Sequence, residues 1–331
     1  MADIGAESEW GAIDRRVLPA RAILGEWIAA DGWRHRRIDW PAAPGVPPRG
    51  SLLLQAGRGD FVEKYIETMD HFSRAGWAVT GFDWRGQGGS HDPARIGDAC
   101  QLPDLAPLVN DLGAFAGEWR AATPGPHVAI GHSMGGHVLL RALAAKAIEL
   151  DAAVLVAPML GLNSAPVPIW LATAAARGLC LLGLADRPAW STPTEKPVRG
   201  GRAKEGHARQ TNLSTSAERY ADELWWRESN PAYGLGAPSW GWLVAAQAAS
   251  DRLLRDPALG AIDTPVLILA AEADRLVTIA PIRRVAARIP GAALHVFGPE
   301  AAHEILRDGD AVRIDAIGRI DRFFDDRAPA R

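Results

Sequence analysis

The sequence predicts an α/β fold, in which a mostly parallel central sheet carries helices on both faces and a helical cap is inserted over one end. Short apolar runs that suit buried strands alternate along the chain with stretches whose apolar residues recur at helical spacing. Because these strands are apolar on both faces, they favour a parallel sheet covered by helices on either side. The alternation stops near residue 161 and resumes near residue 237, so about 75 residues interrupt a regular pattern.

Strand and helix signals follow one another in residues 1–160, which are predicted to form the first part of the α/β core. Residues 25–40 predict two strands around an Ala-Asp-Gly turn, and a Pro-rich connector follows them. The remaining elements predicted here are strands at 51–57, 76–88 (with a Gly-rich end), 127–133 and 152–160, and helices at 61–75, 104–121 and 134–148.

Residues 161–236, the cap segment, are predicted to form the inserted helical cap. The segment opens with an apolar helix, continues with a polar run and ends in an aromatic stretch at 219–226. Its most apolar part, residues 165–185, contains Arg177, two prolines and much alanine. A membrane-spanning helix needs about 20 strongly apolar residues, so this part is predicted to be a cap helix.

Residues 237–331 are predicted to form the second part of the core, because the alternation returns there. The predicted elements are a helix at 240–254, a strand at 264–274, a helix at 279–288, a strand at 292–298 and a final helix. The two parts together give one α/β core that the cap segment interrupts.

Composition excludes several classes of protein. The 331 residues are 48% hydrophobic, which is enough for a large core, and the net charge of −3 offers no basic field for nucleic acid. Only two cysteines are present, Cys100 and Cys180, so no disulfide framework is expected and a reducing cytoplasm fits. The first residues contain acids and no apolar run, which argues against a signal peptide. We expect no metal and no cofactor.

The stretch GHSMG, residues 131–135, matches the pattern Gly-x-Ser-x-Gly with Ser133 at its centre. A predicted strand ends directly before it and a helix begins directly after it, which is the context of a strained turn that presents a nucleophilic serine. Glycines on both sides allow strand and helix to pass closely. The alternative is a Gly-rich turn that only closes a strand–helix junction. The context favours the nucleophile.

A serine needs a base, and a third group has to orient that base. Among nine histidines, His303 lies directly after the last predicted strand and before a helix, where functional groups of an open α/β sheet gather. The strand at 264–274 ends in two acids, Glu272 and Asp274, and the residues alone leave both open as the third group. Ser133, one of these acids and His303 would each follow a different strand.

Five stretches together resemble the monoacylglycerol lipase and lysophospholipase branch of the α/β-hydrolases. They are LLLQAGRGDFVEKY at 52–65, GFDWRGQGGS at 81–90, GHSMGG at 131–136, LILAAEADRLV at 267–277 and AAHEIL at 301–306. The resemblance covers most of residues 25–325 and weakens in the cap segment. It implies a serine hydrolase of the α/β-hydrolase fold, with the triad Ser133, Asp274 and His303 in the order expected of that fold.

The resemblance also implies an oxyanion hole built from the backbone N–H groups of Met134 and Arg58. The family usually has His-Gly-x-Gly after the first core strand, whereas this chain has AGRG, so Ala56 replaces the His. That departure bears on how the loop is supported and on where the Arg58 side chain goes. In the DWRGQG stretch we expect Asp83 and Arg85 to form a local ion pair that fixes the loop.

The expected reaction is hydrolysis of carboxylic esters of single-chain lipids, either lysophospholipid or monoacylglycerol. Two alternatives stay open: another specificity on the same fold, such as a small-ester esterase, lactonase or peptidase, and a binding protein that has lost catalysis. Trp170, Trp190, Trp225, Trp226 and Trp240 are expected to form mostly the cap's own small core, and otherwise an acyl pocket.

The basic run at 195–209 is expected to be either a solvated loop or a contact for phosphate groups or an anionic membrane surface. We therefore expect a lipid or small-molecule ester substrate, no nucleic acid, and peripheral contact of a cytoplasmic protein with the inner membrane surface through the cap. The sequence does not predict the oligomeric state.

Overall fold

The protein is built around one sheet in the computed structural model, which describes residues 13–92, 102, 104–190 and 210–330. Within these residues the sheet has eight strands: β1 (Ile23–Ile28), β2 (Arg34–Trp40), β3 (Gly50–Gln55), β4 (Trp77–Phe82), β5 (His127–His132), β6 (Ala152–Val156), β7 (Val266–Ala271) and β8 (Ala293–Phe297). Their order is β1-β2-β4-β3-β5-β6-β7-β8. The pairs β1–β2 and β2–β4 are antiparallel and all other pairs are parallel, which confirms the predicted mostly parallel sheet.

Helices cover both faces of this sheet. Their bounds are α1 (Ile66–Arg74), α2 (Ala106–Ala122), α3 (Met134–Ala144), α4 (Ile169–Leu179), α5 (Ala217–Ser229), α6 (Trp240–Arg255), α7 (Ile279–Ala286) and α8 (Asp310–Arg327). One apolar cluster joins α1 and α8 to one face, where Phe324 packs on Phe72 and Trp77. A second cluster joins α2, α3, α6 and α7 to the other face. The predicted helices on both faces are therefore confirmed.

The central strands explain why the sequence reads as continuous apolar runs. Every residue of β3, β5, β6 and β7 is buried, because helices cover these strands on both sides. Two predicted elements end earlier than expected. The strand at 152–160 ends at Val156, before Ala157 with φ 44°, and the helix at 134–148 ends at Ala144, shortly before Lys146 with φ 53°. Left-handed backbone continues neither strand nor helix.

The described parts of the cap segment expose more apolar surface than expected. Helix α4 continues into a π-helical turn, Cys180–Leu184, and the chain bends at Gly183 with φ 80°. Leu181 and Leu182 are 89% and 77% exposed. The expectation that most of the tryptophans form a cap core is wrong for Trp170 and Trp190, which are 70% and 54% exposed. Both side chains are therefore mostly exposed to solvent.

The other tryptophans of the segment are better covered. Trp225 and Trp240 are half-buried, and Trp226 is buried with its indole N–H donating to the carbonyl of Arg15 at 2.9 Å. Helix α5, which carries Trp225 and Trp226, is capped by Ser216, whose side chain accepts from the backbone N–H of Arg219. This helix therefore packs on the core through Trp226, whereas α4 packs along α6 and leaves its outer side exposed.

Two expectations fall on residues that the structure does not describe. The basic run at 195–209 and Cys100 both lie outside the described residues. Cys180 is a half-buried free thiol. Among the residues that are described, no helix is both long enough and apolar enough to cross a bilayer.

Candidate active site

Ser133 occupies a strained turn between β5 and α3. Its φ of 52° and ψ of −114° are unusual for a residue with a side chain. A Cβ on Gly135 would lie 2.5 Å from the carbonyl oxygen of Ala56, and a Cβ on Gly131 would lie 2.8 Å from the carbonyl oxygen of Gly135. Both glycines are therefore required by close backbone contact. The turn presents the Ser133 hydroxyl at the N-terminus of α3, where the helix dipole favours negative charge.

The structure brings Ser133, His303 and Asp274 together from three separate loops. His303 Nε2 lies 2.9 Å from Ser133 Oγ, and His303 Nδ1 lies 2.7 Å from Asp274 Oδ2. These loops follow β5, β8 and β7, whose carboxyl ends meet at one edge of the sheet. A serine hydroxyl, an imidazole and a carboxylate in this sequence of hydrogen bonds can transfer a proton away from an attacking serine.

The structure distinguishes between the two acids that follow β7. Asp274 is buried, and its Oδ1 accepts from the backbone N–H groups of Leu276 at 2.7 Å and Val277 at 3.0 Å. Glu272 lies on the surface instead, paired with Arg283 at 2.6 Å. Because the backbone fixes one oxygen of Asp274, the other is held toward His303. Asp274 is therefore the acid that contacts the imidazole.

Electrostatics at the three residues favour a charged Asp274 and a basic His303. Burial alone raises the pKa of Asp274, but the nearby His303 and the hydrogen bonds to the carboxylate lower it below its ordinary value. Burial alone lowers the pKa of His303, but the charge of Asp274 and its hydrogen bond raise it above the ordinary value. The imidazole is therefore a stronger base than a free histidine.

The loop after β3, residues 56–59, lies against the serine. A Cβ on Gly57 would lie 3.3 Å from the Cβ of Ser133. Met134 is the first residue of α3, directly after Ser133. The two residues that the resemblance implies as oxyanion donors, Met134 and Arg58, therefore flank the serine from α3 and from this loop, which we call the oxyanion loop.

The oxyanion loop is supported without the histidine that Ala56 replaces. The indole N–H of Trp84 donates to the carbonyl of Ala56 at 2.7 Å. The carboxylate of Asp60 accepts from the N–H of Gly57 at 2.9 Å, and the side chain of Gln87 accepts from the N–H of Gly59 at 2.5 Å. Three side chains thus fix successive parts of the loop backbone.

The side chain of Arg58 points toward residues beyond the loop. Its guanidinium lies 4.8 Å from the ring centroid of Trp242 on α6, and it donates to the carbonyl of Gly236 at 3.2 Å. The side chain therefore joins the oxyanion loop to the end of the cap segment.

The expected ion pair between Asp83 and Arg85 is wrong. Asp83 pairs with Arg36 on β2 at 2.8 Å, and Arg85 pairs with Asp111 on α2 at 2.7 Å and with Asp31. The two side chains therefore pair with different elements and not with each other. The stretch is fixed by ion pairs to the core rather than by one within itself.

Sequence reasoning missed a group of buried polar residues beside the site. His132 directs its Nδ1 to the Tyr65 hydroxyl at 2.9 Å, and its Nε2 lies 3.3 Å from the carbonyl oxygen of His303. Lys64 and Glu304 are also buried and form an ion pair at 2.8 Å. The only signals in the sequence were charged residues next to His303 and within the apolar stretch FVEKY.

In the described part of the chain, no group of three or more His, Cys, Asp or Glu side chains is placed to hold a metal ion.

Comparison with known proteins places this site in a family. Residues 46–310 match the family model described as serine aminopeptidase, S33. The chain belongs to this family. Because the match spans the three loops of the site, the α/β-hydrolase identity that the sequence predicts is confirmed, together with the α/β-hydrolase fold.

Individual relatives point to the lysophospholipase and monoacylglycerol lipase branch. The chain is 26% identical over 279 residues to a probable lysophospholipase L2 of Haemophilus influenzae, with 83% of this chain and 84% of that protein covered. It is 25% identical to a monoacylglycerol lipase of Mycolicibacterium smegmatis, with 80% and 85% covered. A soluble variant of monoglyceride lipase from Saccharomyces cerevisiae shares the fold with a TM-score of 0.73 and 20% identity, covering 98% of this chain and 100% of that one.

Replacing Asp274 with Asn should lower the pKa of His303, because the carboxylate that opposes the effect of burial is lost. The carbon-bound proton resonances of the His303 imidazole, followed by NMR over a pH titration, give this pKa directly.

Glu272→Gln is the matched control, since Glu272 follows the same strand but pairs with Arg283 on the surface. The control should leave the His303 titration at its wild-type position. An equal shift in both variants, or none in Asp274→Asn, would contradict the assignment of Asp274 as the partner of the imidazole.

Proposed function

We propose that this protein is a serine hydrolase that cleaves carboxylic esters of single-chain lipids, either lysophospholipid or monoacylglycerol. The observation that carries the proposal is the continuous set of hydrogen bonds from Ser133 Oγ through His303 to Asp274, at 2.9 and 2.7 Å. The names of the curated relatives supply the substrate class. The binding protein without catalysis is the weaker alternative, because all three groups are intact.

The proposed reaction proceeds through an acyl-enzyme. His303 Nε2 takes the proton of Ser133 as its oxygen attacks the ester carbonyl. The backbone N–H groups of Met134 and Arg58 stabilise the negative oxygen of the tetrahedral intermediate, helped by the N-terminus of α3. The protonated His303 then gives its proton to the leaving alcohol. Water, activated by the same imidazole, releases the fatty acid and restores the serine.

Ester hydrolysis is preferred to peptide hydrolysis although the family description names an aminopeptidase. The two curated relatives described above have lysophospholipase and lipase names. The cap segment also exposes apolar side chains, which suits an apolar substrate better than a peptide.

Ser133→Ala should lower kcat on a soluble ester by roughly 10⁴- to 10⁶-fold, because the nucleophile is lost while binding remains. Initial rates on p-nitrophenyl butyrate measure this. Labelling with a fluorophosphonate probe should be stoichiometric in the wild type and absent in the variant.

Ser229→Ala serves as the control, since Ser229 is exposed at the end of α5, and it should keep wild-type rates and labelling. Full esterase activity in Ser133→Ala would refute the mechanism. A wild-type protein that neither reacts with the probe nor hydrolyses esters would favour the binding protein.

The lipid specificity predicts that kcat/KM rises with acyl length. Each methylene that enters an apolar pocket contributes about 0.8 kcal/mol, which corresponds to about fourfold in kcat/KM. p-Nitrophenyl esters from acetate to laurate test the trend, and lysophosphatidylcholine and monoacylglycerol of one acyl length then separate the two headgroups. Flat or falling activity with length would favour a small-ester esterase, and turnover confined to aminoacyl amides would favour a peptidase.

We also propose that the cap segment contacts a lipid bilayer through α4 and the turn that follows it. Leu181 and Leu182 are largely exposed in the turn, and Trp170 and Leu171 are exposed on α4. Arg177 is the single charged residue between positions 165 and 185. An apolar surface of this kind, with little charge, partitions into the boundary of a membrane. The contact would bring the site to a substrate that itself resides in lipid.

The double substitution of Leu181 and Leu182 with Ser should weaken binding to phosphatidylcholine vesicles by at least about tenfold, because two exposed leucines no longer enter the acyl region. Cosedimentation with vesicles measures the partition coefficient. Ile314→Ser is the control, since Ile314 is 65% exposed but lies on α8. Vesicle binding that is unchanged in the double variant, or equally weakened in the control, would contradict the proposal that α4 and its turn contact the bilayer.

A further inference from the structure

A buried ammonium group lies behind the site and contacts three carboxylates. Lys64 Nζ is 2.5 Å from Asp60, 2.9 Å from Glu223 and 2.8 Å from Glu304, and the Lys64 side chain is 2% exposed. The ammonium donates hydrogen bonds to Asp60 and Glu304 and forms an ion pair with Glu223. Burial alone lowers the pKa of Lys64, but the three carboxylates raise it above the ordinary value. The group therefore stays charged at neutral pH.

The three carboxylates belong to three different parts of the molecule. Asp60 accepts from the N–H of Gly57 and thereby holds the oxyanion loop. Glu304 is the next residue after His303, so it belongs to the loop that carries the base. Glu223 lies on α5, within the cap segment. A single cation thus joins the oxyanion loop, the base loop and the cap segment.

Two arginines complete the cluster. Arg307 pairs with Glu304 and lies 3.2 Å from Glu223. Arg227 pairs with Glu223 at 2.9 Å, and it donates to the carbonyl of Gly59 in the oxyanion loop at 3.2 Å. Helix α5 therefore contacts both loops, the base loop through Glu223 and the oxyanion loop through Arg227. The cluster therefore contains three carboxylates, which are negative, and three cations, Lys64, Arg227 and Arg307, so its net charge is zero.

We propose that Lys64 is a positioning residue, which holds His303 and the oxyanion loop at the distances that ester hydrolysis requires and ties both to α5. The inference rests on the proposed function. Buried ion pairs add little net stability, because desolvation cancels most of their attraction, but their geometry is strict. A displacement of about 1 Å in a catalytic group can cost about 100-fold in rate. The cluster therefore acts through the placement of other groups.

A pH profile separates positioning from a merely structural role. The acid limb of kcat/KM reports the pKa of His303, which has to be neutral to accept the serine proton. Asp274, Asp60 and Glu304 are the acids that raise the pKa of His303. The ring centroids of His132 and His303 lie 5.0 Å apart. Among the nearby cations, Lys64 pairs with Asp60 and Arg307 pairs with Glu304.

Opposite shifts are expected from two variants. Lys64→Met removes a positive charge, leaves its acids uncompensated and should move the acid limb to higher pH by about half a unit or more. Glu304→Gln removes a negative charge beside His303 and should move the acid limb to lower pH. Both variants should lower kcat on p-nitrophenyl butyrate by about 10- to 100-fold, with KM within about threefold. Lys146→Met, at an exposed lysine, is the control and should change neither.

Folding of each variant is checked by circular dichroism before the kinetics are read. A folded Lys64→Met with wild-type kcat and an unshifted acid limb overturns the inference. If Lys64→Met does not fold, Glu304→Gln tests the inference, because Gln keeps the size of the side chain but loses the negative charge that holds Lys64. Unchanged kcat and acid limb in that variant overturn the inference equally.

Ser133→Ala in the same assay keeps the two proposals apart. If Ser133→Ala is inactive and the Lys64 and Glu304 variants behave as wild type, positioning by Lys64 is wrong and the proposed function stands. If Ser133→Ala retains activity, the proposed function fails, and with it the inference that depends on it.

Discussion

The backbone of α3 and the ends of β3 and β5 touch directly at the turn that carries Ser133. Gly131 and Gly135 leave no space for a Cβ, because carbonyl oxygens of neighbouring backbone lie within 2.8 Å of where it would stand. The position of the serine hydroxyl is therefore set by backbone packing in the buried core, and the strain at Ser133 is held there by the surrounding contacts. His303 and the oxyanion loop contact the serine at this fixed position.

The sequence was sufficient to predict a mostly parallel sheet with helices on both faces, and to predict that the groups of the candidate site follow separate strands. Parallel strands bring their carboxyl ends to one edge of the sheet, so residues that follow different strands, such as Ser133 and His303, can be placed together without knowing any contact. The same rule could not separate Asp274 from Glu272, since both follow β7. That separation depends on the two backbone N–H groups that bind Asp274, and on Arg283 outside the site.

Ion pairs were the part that could not be predicted, because they depend on distances between elements. Asp83 and Arg85 are neighbours in sequence, yet their partners Arg36 and Asp111 lie on β2 and α2. Lys64 looks like an exposed residue in a helical pattern, and only the packing of α5 and the base loop around it makes it buried. The exposed Trp170 could not be predicted either, since composition does not say which apolar residues find a partner.

The cap segment combines two kinds of surface: α5 makes ion pairs to the loops of the site, and α4 carries exposed apolar side chains. Helix α5 is held by directional ion pairs to the loops around Ser133, so its displacement would also displace the oxyanion loop. Helix α4 has one buried residue, Ala176, and ends in a turn that bends at Gly183. Apolar contact with lipid is not directional and needs no fixed partner geometry. The bilayer contact proposed for α4 therefore involves a different part of the cap segment from α5, whose ion pairs hold the loops around Ser133.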